Sequence, residues 1–361
     1  MKKRYNSVDI FRGITIVFMI LVNTPGTWSA VYAPLLHAPW HGYTITDLVF
    51  PFFLFIVGVS ISLSYQNKKL KWPVFIKISS RSLKLIFLGL FLGAFSLSFP
   101  FLKEFDSIRF PGVLQRIGLV FFLASFMYIW GSKRSTFLVI GVLLVGYWLW
   151  MGYIPIEGVA PTYERAANNW ANYIDLKVLG THMWKPDYDP EGLLSTLPAI
   201  ATALLGTFSG DLLRSNTYQK VSLMLFMGIA MLALGSVWSL YFPINKALWS
   251  PSFVLVSAGW ANLCLALLFY LTEFKKLQLG GVFRKVGLNA IVIYFSASFT
   301  AKVFSMVSVE GSSLHAFLFK TFFVHEFLSL KSSSLGYALC VCLFYVLLAH
   351  LLYKKKIFIK V

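Results

Sequence analysis

The chain has 361 residues, 58% of them hydrophobic and only 13% charged, with a mean hydropathy of +0.72, which excludes a water-soluble globular domain. Its formal charge of +18 would suit a nucleic-acid partner, but the basic residues fall between apolar runs of membrane-spanning length, so that class is excluded as well. A polytopic, all-α transmembrane bundle remains, expected as a single domain over residues 1–361 with the lipid bilayer as its surroundings.

In chain order, spans are expected at about 10–28, 48–66, 80–99, 111–130, 135–154, 192–213, 221–241, 250–272, 286–307 and 334–353, ten in all. The start, "MKKRYNSVDIFRGITIVFMILV", has the basic and apolar regions of a secretory signal, but Asp9 and Arg12 argue for a retained first span. Residues 312–330 are apolar enough for an eleventh crossing, yet Lys320, His325 and Glu326 interrupt them, and a helix at the interface or re-entering is expected instead. Cys264, Cys340 and Cys342 sit in apolar runs as small hydrophobes, with no disulfide or CxxC pattern.

Charge sets the orientation. Lys2, Lys3, Arg4, Lys68, Lys69, Lys71, Lys77, Arg81, Lys84, Lys133, Arg134, Arg214, Lys220, Lys275, Lys276, Arg284, Lys285, Lys354, Lys355, Lys356 and Lys360 fall at one set of span ends. Glu104, Asp106, Glu157, Glu164, Asp175, Asp187, Asp189, Glu191 and Glu310 fall at the other. The positive-inside rule then places both termini in the cytoplasm of a cell-membrane protein.

Two segments on the acidic, outer side stand out. Residues 155–191 mix Trp, Tyr, Asn, Asp and Glu, a composition that suits stacking and hydrogen bonding to a sugar ring, and equally a solvated loop anchored at the interface. Residues 29–47 contain "HAPWHGYTITD". His37 and His41 are four apart, but Pro39 and Gly42 oppose a regular helix and no third ligand is near, so no metal is expected. Asp47, with Thr44 and Thr46, reads either as a helix N-cap or as the carboxylate partner of an imidazole. Neutral imidazole is suited to proton transfer or to carrying an acyl group.

Charges within spans are functional candidates, because each costs about 2.5–3.5 kcal/mol to insert. Asp9 and Arg12, three apart, share a helix face and suit an ion pair or a ligand contact. Arg116, beside Gln115, lies inside the fourth span and calls for a buried anion or carbonyl partner; Asn289 suits an interhelical hydrogen bond.

"LLHAPWHGYTITDLVFPFFLFIVGVS", "RFPGVLQRIGL", "YDPEGLLSTLPAIATALLG", "INKALWS" and "VGLNAIVIY" resemble, in order, signature segments of the heparan-alpha-glucosaminide N-acetyltransferase family and its bacterial relatives. "RYNSVDIFRG" is similar to the R-x4-D-x2-R-G start of transmembrane acyltransferases more widely. The resemblance implies acetyl transfer from cytosolic acetyl-CoA to the amine of a glucosamine-type sugar across the membrane. It implies His37 and Asp47 as catalytic residues. Arg12, Gln115, Arg116 and Asn289 would hold the acyl-CoA, and Asn23, Trp40, His41, Asp189 and Glu191 the acceptor. Two departures from the animal members, His41 for Asn and Ala297 for His, point to a free amino sugar or cell-wall fragment as acceptor. A transporter of amino sugars or cell-wall fragments, or an O-acyltransferase of a surface saccharide, are the alternatives. The oligomeric state, a homodimer among the options, stays open.

Overall fold

A computed structural model describes residues 4–66, 68–215 and 219–359. Lys2, Lys3 and Lys360 of the charge map lie outside the described residues. Among the described residues the fold is helical, with only a two-stranded hairpin of Ser308–Val309 and Ser312–Ser313 as sheet.

The helices are α1 (Asn6–Asn23), α2 (Ile45–Tyr65), α3 (Trp72–Ala94), α4 (Val113–Trp130), α5 (Lys133–Tyr153), α6 (Trp170–Leu179), α7 (Thr196–Arg214), α8 (Lys220–Trp238), α9 (Pro251–Phe269), α10 (Gly281–Leu288), α11 (Ala290–Met306), α12 (Leu314–Phe323) and α13 (Leu330–Lys354). Among the described residues, eight segments are long and apolar enough to cross a membrane: α1, α2, α4, α5, α7, α8, α9 with its π-helical end Tyr270–Phe274, and α13. The expected span at 286–307 is a broken one, α10 and α11 meeting at Asn289 with an 81° bend, and counts as a ninth. The expected span at 80–99 falls on α3, 23 residues and so about 35 Å long, which Lys77, Arg81 and Lys84 make more polar than the other spans. In place of an eleventh span, residues 312–330 hold the ten-residue α12, about 15 Å long and half the apolar thickness of a bilayer.

At the centre lies α2, with Leu54, Phe55 and Val59 fully buried against α7. α5, α8 and α13 lie at the periphery and expose apolar faces through residues such as Val142, Phe226 and Leu343, as lipid contact requires. From Val49 to Ile61 the buried side chains of α2 are all apolar, so along this stretch no water-facing stripe competes with the placement.

The two ends of the bundle differ. At one, α1 begins and α2, α4 and α7 end. Arg4 and Arg12 pair with Asp9 at 2.6 and 3.2 Å, Arg12 also donates to Ser60 Oγ at 2.7 Å, and Glu273 accepts from Ser7. Asp211 there accepts from Ser62, Tyr128 and Arg214 at 2.8, 2.6 and 2.6 Å. At the other end, α1 closes, α2 begins, and the 29–47 and 155–191 segments gather over a cavity.

Backbone-to-backbone packing joins α1 to α10. A Cβ on Gly13 would lie 1.8 Å from Phe283 O, and one on Gly287 would lie 1.9 Å from Asp9 O. Small residues permit such close helix crossings in membranes. Gly287→Ala is expected to force the two helices apart and to destabilise the fold by about 1–3 kcal/mol, the usual range for overpacking. Thermal unfolding of detergent-solubilised protein measures this, and an unchanged midpoint would show that the crossing yields without cost.

Candidate active site

Asp47 is the third residue of α2, after the N-cap Thr44, and is almost wholly buried. A carboxylate so placed must have its oxygens occupied. Its Oδ2 accepts the backbone N–H of Thr44 at 2.9 Å, closing the helix end, and that of Ala38 at 3.0 Å. Its Oδ1 accepts from His37 Nδ1 at 2.6 Å. Both readings of Asp47, cap and imidazole partner, are therefore realised by one carboxylate. Thr44 Oγ1 donating to Leu36 O at 2.6 Å and Thr46 Oγ1 to Pro34 O at 3.3 Å pin the approaching chain to the same helix end.

With the proton on Nδ1 held by Asp47, Nε2 of His37 carries a free lone pair. The His37 side chain is 49% exposed while that of Asp47 is 2% exposed, so the imidazole is presented and the carboxylate hidden. The cavity they line has a volume of about 450 Å³. Asn23, Trp40 and Glu191 line it too, with α1 from Met19 and α11 from Tyr294 to Ala301 forming its walls.

Its roof is an ion network. Arg109 grips Asp189 through two hydrogen bonds of 2.8 and 2.5 Å and reaches Glu191 at 2.5 Å. Asp189 is spent on this and on the backbone N–H groups of Trp184 and Glu191, at 2.7 and 2.8 Å, and sits behind the cavity wall. Burial would raise the Glu191 carboxyl, but Arg109, Lys246 and Arg116 hold it below its usual value. Burial likewise opposes the charge on Arg109, and its hydrogen bonds to Asp189 and the field of Glu191 outweigh that and raise it.

Trp40 joins the two loop segments, its Nε1 donating to Tyr163 O at 2.9 Å and its ring meeting Tyr188 edge-on at 5.3 Å. His41 turns away from the cavity, lying 3.1 Å from Glu164 and 3.3 Å from Asn245. Arg116 finds the carbonyl partners its position calls for, Pro190 O at 3.1 Å and Gly192 O at 2.8 Å, and a hydroxyl, Ser195 Oγ, at 2.5 Å. Gln115 donates to Phe110 O at 3.1 Å. Neither lines the cavity; both order the backbone around it. Arg12 and Asn289 lie together toward the basic end, Arg12 reaching Gly287 O at 3.4 Å and Asn289 bonding the backbone of Ile357 and Ile359 at 3.0 and 2.9 Å.

Lys246, Arg109 and Tyr294 also line the cavity and were not singled out by their residue types. One signal was present for the two cations: both stand on the acidic side of the charge map, inside quoted motifs, "INKALWS" and "RFPG". Among the described residues, no three His, Cys, Asp or Glu side chains converge as a metal site.

Fold and site together define an integral membrane protein with a shielded carboxylate–imidazole pair opening on a charged cavity. Residues 4–243 match the family described as heparan-alpha-glucosaminide N-acetyltransferase, catalytic. The chain belongs to that family. Curated relatives named heparan-alpha-glucosaminide N-acetyltransferase, from Homo sapiens and Mus musculus, are each 29% identical over 99% of this chain. The chain spans about 60% of the length of each.

Asp175 on α6 holds the roof from behind, accepting the Leu193 N–H at 2.8 Å where Gly192 alone leaves room: a Cβ there would lie 1.7 Å from its Oδ2. Burial pushes this carboxyl up from 3.8 to about 7, against the pull of the Leu193 N–H. A carboxyl raised in the folded state stabilises most below its unfolded value, and that contribution fades as pH climbs from 3.8 through about 7. Asp175→Asn is expected to flatten this decline in a pH series of thermal unfolding; a slope identical to wild type would assign the decline to another group.

Proposed function

We propose that this chain is a transmembrane acetyltransferase, moving the acetyl group of acetyl-CoA to the amine of a glucosamine-type sugar held in the cavity. The observation that carries the reading is the His37–Asp47 hydrogen bond of 2.6 Å at the mouth of a cavity large enough for a sugar. The names of the human and mouse relatives support the same reaction class and acceptor type.

His37 Nε2 is the base that takes the proton of the attacking amine, or the nucleophile that first accepts the acetyl group; Asp47 stabilises the imidazolium in either route. Trp40, Trp184 and Tyr188 offer flat faces to a pyranose, Asn23 an amide to its hydroxyls, and Glu191 a carboxylate to its nitrogen. The donor reaches this site from the basic end, where Arg4, Arg12, Arg81, Arg214, Arg284 and Lys285 suit phosphates. Arg12 and Asn289 are the best placed to hold the acyl-CoA. On α11 the cavity wall begins at Tyr294, five residues past Asn289 and so about 7.5 Å along a helix, the distance a pantetheine arm would have to cover between them.

The charge distribution supports a cell-membrane protein with the basic end and both termini in the cytoplasm and His37 on the opposite face. Acetyl transfer from labelled acetyl-CoA to glucosamine by purified protein tests the reading. His37→Ala is expected to lower the rate by about 10²- to 10⁴-fold, the usual worth of a positioned acid–base group, and Asp47→Asn to lower it as well. Full activity in the His37 variant would remove the imidazole from the chemistry. Labelled enzyme trapped without acceptor separates the acyl-carrier route from direct transfer.

A further inference from the structure

Lys246 stands beside the imidazole. Its Nζ stands 3.2 Å from Nδ1 and 3.3 Å from Nε2 of His37, and 3.9 Å from Asp47 Oδ1. Near-equal distances to two ring nitrogens place the amine against the imidazole rather than in line with one lone pair. Its side chain is 17% exposed and lines the cavity.

The turn that delivers it is rigid. Asn245 is fully buried, its Oδ1 accepting the Leu248 N–H at 2.9 Å and its own N–H reaching Ser250 Oγ at 3.0 Å. Trp249 N–H returns to Lys246 O at 3.1 Å, and Gly42 N–H, from the loop carrying His37, donates to Ile244 O at 2.7 Å. Lysine and histidine therefore ride on two loops that are bonded to each other.

We propose that the Lys246 ammonium is the oxyanion donor of this site, an assignment that rests on the acetyl-transfer reading. As the sugar nitrogen forms its bond to the thioester carbon, the C=O π pair moves onto oxygen and His37 Nε2 takes a proton from that nitrogen. The Lys246 ammonium donates to the new oxyanion. Collapse re-forms C=O and breaks the C–S bond; sulfur leaves with the electron pair and takes the proton from His37, giving an amide and free CoA thiol. If Nε2 attacks first, the same oxygen becomes negative in each half-reaction, so the donor serves both routes.

The net effect of the surroundings is to lower the Lys246 amine below its usual value. Burial lowers the Lys246 amine, Glu191 and Asp47 raise it, and Arg116 and Arg109 oppose them. A less basic ammonium is the better hydrogen-bond donor. Preorganised donors of this kind are a large contribution to acyl-transfer rates.

Lys246→Met is expected to lower kcat about 10²- to 10³-fold, as loss of one oxyanion donor does, with KM for acetyl-CoA and glucosamine nearly unchanged. Fluoroacetyl-CoA gives a readout that misplacement of His37 would not move: its fluorine stabilises the oxyanion by itself, so the deficit of the variant should shrink several-fold with this donor. A deficit equal for both donors, or a variant with wild-type kcat, overturns the assignment. As a second route, Lys246→Cys should regain activity after 2-bromoethylamine, which restores an ammonium, and not after iodoacetamide. Equal activity after either reagent also overturns it. Wild type that acetylates no glucosamine removes the acetyl-transfer reading and the inference together; an active wild type with an indifferent lysine variant removes the inference alone.

Discussion

A carboxylate sealed at the end of an apolar helix has nowhere to find water, and the chain around Asp47 is arranged to meet that need. Two backbone N–H groups and an imidazole converge on it. Each partner comes from a different part of the same eleven-residue stretch, from His37 to Asp47, so satisfying one side chain folds the stretch into a compact loop. The tautomer and the orientation of His37 follow from that folding. Removing either partner would leave a charge or a polar group stranded at the bundle's mouth, which is why cap and candidate chemistry are inseparable here.

The cavity's charges are balanced by the same logic on its other wall. Arg109, Glu191, Lys246 and Asp47 alternate in sign around it, and Asp189 anchors the arginine from behind. Arg116 adds nothing to the lining and much to the shape, because its guanidinium gathers the carbonyls of Pro190 and Gly192 and stacks 5.2 Å above Trp249. That contact links the 189–195 turn to the turn bearing Lys246. Below this polar layer the walls are apolar, from Met19 and Phe50 to Ala297, so the imidazole stands at a boundary between charged and hydrocarbon-like surroundings.

Much of this was legible in the residues. Hydropathy marks most of the helices, because a run of some twenty apolar residues has few alternatives to spanning a membrane. The Asp9–Arg12 pair follows from helical spacing, and a carbonyl partner for Arg116 follows from the cost of burying its charge. Less was legible where contact depends on distant chain. Lys246 meets His37 across more than two hundred residues, and its place on the acidic side within "INKALWS" marks it without showing what it touches. His41, four residues from His37, is claimed instead by Glu164 and Asn245 from two other loops. The bend at Asn289 is likewise tertiary: an apolar run reads as one continuous span until the backbone of Ile357 and Ile359 occupies the asparagine amide.

The Gly13–Gly287 crossing carries a consequence for how the chain is assembled. α1 is synthesised well before the helix it fits most closely, α10, which follows after more than two hundred and fifty further residues. The grip on the Asn289 amide comes later still in the chain, from Ile357 and Ile359. This crossing therefore forms by docking of a late helix onto an early one.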